Sequence, residues 1–357
     1  HPMTLALPVI EPTTLTAPQI GALQTEIRTL AKQRRAVLLA HNYQRPEVQD
    51  VADFVGDSLG LSRQAAATSA EVIVFCGVHF MAETAAILAP TKRVLLPDLR
   101  AGCSLAATIT AADLRAWKAK FPDYISVGYV NTTAEVKAEL DYCCTSGNVL
   151  DVIDAIPASR GILFCPDFFL GAHVRRMRPD RKVEVWLGEC HVHKNINPDT
   201  LDQVRHEHPK AEVLVHPECG CAGQLIYAIG TGDIPADHVH IASTERMVQL
   251  VRERPATEFI IATEIGIMHR MQQMAPEKHF FAADRNATCA YMKTITLEAT
   301  RDALKHDQFH VTVPPEIEAR ARASLDRMVA LGPGAGRGDP LGRPYGPPVL
   351  KPTTSDE

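Results

Sequence analysis

The stretch AVLLAHNYQRPEVQD, residues 36–50, begins as a buried strand and stops in polar chemistry. Val37, Leu38 and Leu39 form an apolar run. His41, Asn42 and Tyr43 follow at once, and Pro46-Glu47 reads as the first turn of a helix. In open parallel sheets, functional groups gather outside the carboxyl ends of the strands. One such strand end decides little by itself, but this chain repeats it.

Short β-rich runs alternate with helix-like segments, the pattern of βαβ units. The runs fall into three sets. AVLLAHNY, YISVGYVNT and AEVLVHPEC form the first; EVIVFCG, GILFCPD and EFIIATEIG the second; RVLLPDLRAGC, VEVWLGEC and HFFAADRNATC the third. In chain order they make three repeats of three strands. His41 to Tyr129 is 88 residues and Tyr129 to His216 is 87. Cys76 to Cys165 is 89, whereas Cys165 to Thr263 is 98. Cys103 to Cys190 is 87, whereas Cys190 to Cys289 is 99. One insertion of about ten residues between Glu218 and Thr263 accounts for both longer steps. Helix starts recur too, at Thr110, with Asp113 completing a capping box, and at Asn197.

The expected fold is therefore α/β: three homologous three-layer domains with parallel sheets around a pseudo-threefold axis. Their expected bounds are 19–104, completed by C-terminal helices over 290–331, then 105–190 and 191–289. Residues 1–18, rich in Pro and Thr, and 332–357, in which 12 of 26 residues are Gly or Pro, read as disordered ends. On this arrangement His41-Asn42-Tyr43, Tyr129-Val130-Asn131 and His216-Pro217-Glu218 are equivalent strand ends facing one central cavity.

At 357 residues the chain has room for two or three cores. Its 46% hydrophobic and 22% charged residues are ordinary for a globular protein. A net charge of −5 without a basic stripe argues against nucleic acid as a partner. No apolar run approaches the roughly 20 residues that span a bilayer, and no secretory signal pattern opens the sequence, so the expected compartment is the cytoplasm.

Nine cysteines in such a chain point to metal or redox chemistry. Cys103, Cys190 and Cys289 end the third strand of each repeat, so three soft sulfur ligands can meet at one point, as suits an iron–sulfur cluster or zinc. Because a cluster commonly takes four cysteines, three would leave one iron open as a Lewis acid. A competing zinc site would use His216, Cys219 and Cys221. Cys76 and Cys165, whose counterpart is Thr263, read as core packing; Cys143 and Cys144 read as packing residues on a helix.

The ordered motifs HNYQ at His41, DSL at Asp57, AGCS around Cys103, YVNT at Tyr129, TSGN at Thr145, ECHVH ending at His193, HPEC at His216, ATEIGI at Ala262 and CAYMKTITLE at Cys289 cover residues 20–330. Through them the chain resembles the quinolinate synthase family, the A protein of NAD biosynthesis. The resemblance implies a [4Fe–4S] cluster on Cys103, Cys190 and Cys289. It implies condensation of iminoaspartate with dihydroxyacetone phosphate to give quinolinate, phosphate and water. It also raises a transient contact with L-aspartate oxidase. Substrate contacts carry over to His41, Ser58, Tyr129, Asn131, Ser146, His216 and Glu218, with Val130 and Pro217 in the same strand-end triplets. Ser243-Thr244 matches the family's Ser-Thr pair across the insertion. His193 and Tyr43 match further active-site positions. Ala290 stands where the family usually has Pro, and an extra cysteine that many relatives carry before the last ligand is absent.

The residues themselves suggest roles. Ser58 and Ser146 lie 17 residues after His41 and Tyr129, near helix starts where N–H groups suit an anion. Glu218 is the candidate general base and Tyr43 a candidate proton donor. No arginine is evident among these positions, so histidines, hydroxyls and helix N-termini must receive the anions. Two other readings remain at this point: a different cluster-dependent hydro-lyase, and a non-catalytic iron–sulfur sensor.

Overall fold

The computed structural model describes residues 6–333. It contains three parallel four-stranded sheets. The first holds β1 (Ala36–His41), β2 (Phe54–Gly56), β3 (Val72–Cys76) and β4 (Arg93–Leu95); the second holds β5 (Ile125–Tyr129), β6 (Tyr142–Cys144), β7 (Ile162–Cys165) and β8 (Val183–Val185). The third holds β9 (Glu212–Val215), β10 (Val239–Ile241), β11 (Glu258–Ala262) and β12 (His279–Ala282). All three sheets share one strand order: second, first, third, fourth. Helices cover both faces. Central strands such as β3, sequence VIVFC, are therefore buried along their whole length, as parallel sheets require.

Each unit thus has four strands where the sequence pattern gave three. The added strand, β2, β6 or β10, is three residues long and sits at the sheet edge beside the first strand. Cys143 and Cys144 belong to β6 rather than to a helix. Both are buried, as are Cys76 and Cys165. The insertion is also explained. His41 to Phe54 and Tyr129 to Tyr142 are both steps of 13 residues, whereas Val215 to Val239 is 24, and the 10-residue helix Ala222–Thr231 occupies the difference.

Strand register corrects one equivalence. Ala40 pairs with Cys76, Gly128 with Cys165 and Val215 with Ala262. Ala262, not Thr263, is therefore the counterpart of the two cysteines. Thr263 stands one residue further on, where the other units have Gly77 and Pro166. In a strand that single step moves a side chain to the opposite face.

Local chemistry sets the helix boundaries. Thr110 and Asp113 form a reciprocal capping box at the helix Ala111–Lys120, and Asn197 caps Pro198–Glu207. Each such cap contributes about 1 kcal/mol. The C-terminal helix Leu297–His306 packs on the helix Ala17–Arg34 and on β3, while Pro315–Val329 lies against elements of both the first and second sheets. Residues 6–16 form no helix or strand, yet the carbonyls of Ala6 and Glu11 accept hydrogen bonds from Tyr291 and Arg45. The rest of the expected disordered ends, 1–5 and 334–357, lies outside the described residues. Among the described residues no helix is long and apolar enough to cross a membrane.

Candidate active site

The carboxyl ends of β1, β5 and β9 meet in a cavity of about 70 Å³. This is several times the ~10–15 Å³ that one water needs. Its lining includes His41, Tyr43, Ser58, Tyr129, Asn131, Ser146, His193, His216, Glu218, Thr244 and the three cysteines Cys103, Cys190 and Cys289. Three anticipated residues do not line it. Val130 is buried and its N–H donates to the Cys144 carbonyl (2.8 Å), Pro217 is buried in the turn after β9, and Ser243 caps the helix Thr244–Glu253.

The two strand-end histidines are held alike. The N–H of Tyr43 points at His41 Nδ1 (3.2 Å), and the N–H of Glu218 points at His216 Nδ1 (3.4 Å). A backbone N–H can only donate, so Nδ1 accepts in both rings and Nε2 carries the proton. His216 Nε2 then donates to Ser146 Oγ (3.2 Å). Burial, and then each other's charge or that of Glu218, sets both imidazoles. His41 falls to about 3 through burial reinforced by His216, and His216 falls to about 3 through burial that Glu218 only partly opposes. Both are therefore neutral N–H donors at physiological pH.

Glu218 is nearly solvent-free and lies between three partners. Tyr129 donates its phenol hydrogen to Oε1. His193 Nδ1 lies 3.4 Å from Oε2, close enough for charge attraction but poorly directed as a hydrogen bond, and His216 Nδ1 lies 3.5 Å from Oε1. Burial pushes the carboxyl up. The neighbouring His193 and His216 and the hydrogen bonds outweigh burial and hold it at about 2. For His193 burial favours the neutral ring, but Cys190 and Glu218 beside it raise the ring well above its ordinary value. The His193 and His216 rings stack with centroids 4.8 Å apart.

Each cysteine lies beyond the fourth strand of its unit and begins a tight turn. Its carbonyl accepts the N–H four residues on: Ala107 donates to Cys103 (3.2 Å), Lys194 to Cys190 (3.0 Å) and Lys293 to Cys289 (3.1 Å). A 3₁₀ turn follows in every case, Ala106–Thr108, His193–Asn195 and Met292–Thr294. Burial, then the neighbouring Cys190, raises the Cys103 thiol to about 12 and pushes Cys289 further up. Such thiols become thiolates when a cation compensates them, the coupling expected of metal ligands. The donor set therefore fits an iron–sulfur cluster, whose ligands stand further apart than those of a single ion. The tight group Cys190, His193 and Glu218, with donor atoms within 4.8 Å, could alternatively hold one ion. Cys219 and Cys221 are joined by a disulfide, so they do not form the zinc site with His216.

The anion problem posed by the sequence has a physical answer. Among the described residues no lysine or arginine lines the cavity. The nearest buried cations serve the walls. Arg270 holds Glu245 (2.7 Å) and Asn42 (2.7 Å), while Lys293 holds Glu264 (3.0 Å) and the Tyr43 carbonyl. Neutral N–H and O–H donors are left to face a ligand. Asn131 Oδ1 is buried without a hydrogen-bond partner, as expected of a group awaiting one.

Three residues that the sequence reading did not single out complete the walls. Glu264, fully buried, accepts from the Cys289 N–H (3.2 Å) and so anchors that cysteine; Lys293 neutralises it. The hydroxyl of Thr263 bridges Tyr43 Oη (2.6 Å) and His193 Nε2 (2.9 Å). Glu264 and Thr263 fall inside the ATEIGI motif, and Lys293 inside CAYMKTITLE.

Residues 25–330 match the family model described as quinolinate synthetase A protein. Curated relatives called quinolinate synthase align over 87% of this chain. The one from Mycobacterium sp. (strain KMS) is 55% identical over 93% of its own length. That of Thermus thermophilus is 54% identical over 98%, and that of Mycobacterium tuberculosis H37Rv 53% identical over 89%. At that extent of identity the chain belongs to the quinolinate synthetase A protein family.

Proposed function

We propose that this protein is a quinolinate synthase that condenses iminoaspartate with dihydroxyacetone phosphate, releasing phosphate and water, with a [4Fe–4S] cluster on Cys103, Cys190 and Cys289. One observation carries the reading. A cysteine and a polar strand end from each of three repeated units line the same cavity. A cluster with three cysteine ligands supplies an open iron, a Lewis acid for substrate oxygen.

The chain's own groups divide the remaining work. His41 and His216 offer Nε2–H to carboxylate or phosphate oxygens without adding net charge. Ser58 and Thr244, each the first residue of a ten-residue helix, present hydroxyls beside free N–H groups, a natural anion cradle. Ser146 stands in the same wall, hydrogen-bonded to His216. Glu218, held as a carboxylate, takes protons from carbon or nitrogen next to the reacting carbonyl, and His193 and Tyr129 orient it. Tyr43 stands across the cavity lining as a proton donor. Dense burial of these groups excludes water from the reactive imine. In this reading the protein works in the cytoplasm on small molecules, and L-aspartate oxidase is the source of iminoaspartate.

The test is anaerobic. Reconstituted protein should hold about four irons and four sulfides per chain and form quinolinate from the two substrates. Cys103→Ser, Cys190→Ser and Cys289→Ser should each lose the cluster, whereas Cys76→Ser and Cys221→Ser should keep it. Cluster-loaded protein that forms no quinolinate would sink the reading.

A further inference from the structure

Thr263 is the hydroxyl that the repeat does not supply elsewhere. Its counterparts by strand register are Gly77 and Pro166, neither of which has a polar side chain. In the third unit the position is 1% exposed, and its Oγ1 lies 2.6 Å from Tyr43 Oη and 2.9 Å from His193 Nε2. The direct Tyr43–His193 contact is longer, 3.3 Å. Tyr43 follows β1 of the first sheet, His193 follows the cysteine loop beyond the second sheet, and Thr263 follows β11 of the third. A single hydroxyl therefore ties side chains from all three regions together. Thr263 does not line the cavity, whereas both its partners do.

We propose that Thr263 is a positioning residue whose hydroxyl fixes the Tyr43 phenol and the His193 ring relative to one another at the cavity wall. Without it, two buried polar atoms lose their shortest partner, and the side chains that carry them gain freedom at the reacting end. Valine keeps the branched shape but removes the hydroxyl; serine keeps the hydroxyl and removes the methyl. The two variants therefore separate packing from hydrogen bonding.

The kinetic arm rests on the quinolinate-forming reading above; the structural arm does not. In cluster-loaded protein, Thr263→Val should hold wild-type iron and lower kcat about 10- to 100-fold, the size of effect expected from a misplaced catalytic group. KM should stay within about threefold, and Thr263→Ser should recover kcat to within about threefold of wild type. Crystal structures of the two variants should show Tyr43 Oη or the His193 ring displaced by about 0.5 Å or more in the valine form and restored in the serine form. The proposal falls if Thr263→Val turns over normally, if serine is no better than valine, or if the rings stay in place. Should wild-type protein make no quinolinate, the functional reading fails, and the crystal structures alone decide the role of Thr263.

Discussion

The first and third strand ends, His41-Asn42-Tyr43 and His216-Pro217-Glu218, have the same backbone and different chemistry. In both, a histidine ends the strand and accepts the N–H of the residue two positions later. Burial lowers both imidazoles to about 3. The third residue differs: a phenol in the first unit, and in the third a carboxylate that opposes two histidines and a second tyrosine. The second unit places Tyr129 where the others have histidine. The repeat thus conserves a hold on the backbone while each unit contributes a separate functional group.

The comparison breaks most visibly at its point of difference. Glu218→Gln keeps size and some hydrogen bonding but cannot take a proton. It should retain the cluster, bind substrate within about tenfold (roughly 1.4 kcal/mol) and turn over about 10² to 10⁴ times more slowly. Near-normal turnover would move the base elsewhere, with Tyr43 the first group to test.

The shared hold predicts similar behaviour of the two histidines. His41→Ala and His216→Ala should each weaken anion binding about 10- to 100-fold, as for the loss of a hydrogen bond to a charged group. Both rings have folded values below their ordinary 6.5, so they are neutral from about pH 5 to 8 and bind as N–H donors throughout. Wild-type affinity for quinolinate should therefore not fall as pH rises through about 6.5. A loss of affinity across that range, abolished by either substitution, would show that an imidazolium is required and that the comparison is wrong in kind.

The smallest effect concerns the residue just before each triplet: Ala40, Gly128 or Val215. A Cβ on Gly128 would come within 2.0 Å of Leu140 Cδ1, so the second unit closes its sheet with no side chain there. Gly128→Ala should cost about 1–3 kcal/mol in urea unfolding, the range for overpacking. A neutral result would mean that Leu140 repacks freely.

Legibility followed the length and chemistry of the signal. The runs of β1, β5 and β9 end in polar triplets spaced 88 and 87 residues apart, so the strands and their outlets were readable together. The cysteines were readable because all three occupy one place in the repeat. β2, β6 and β10 were not, because three residues carry no periodicity. Thr263 was misplaced by one residue, since offsets across an insertion cannot fix register, and a one-residue error in a strand exchanges core for cavity. Glu264 and Lys293 act through partners on other units, a pairing visible only once the chain is folded.

Cys103, Cys190 and Cys289 are 87 and 99 residues apart. Whatever they hold together is therefore also a covalent clasp that closes two very long loops of chain. In the unfolded protein each closure removes conformational freedom worth on the order of 4 kcal/mol. A protein stripped of that clasp loses a restraint on the mutual placement of its three sheets, and its strand-end triplets lose the geometry that makes them one site.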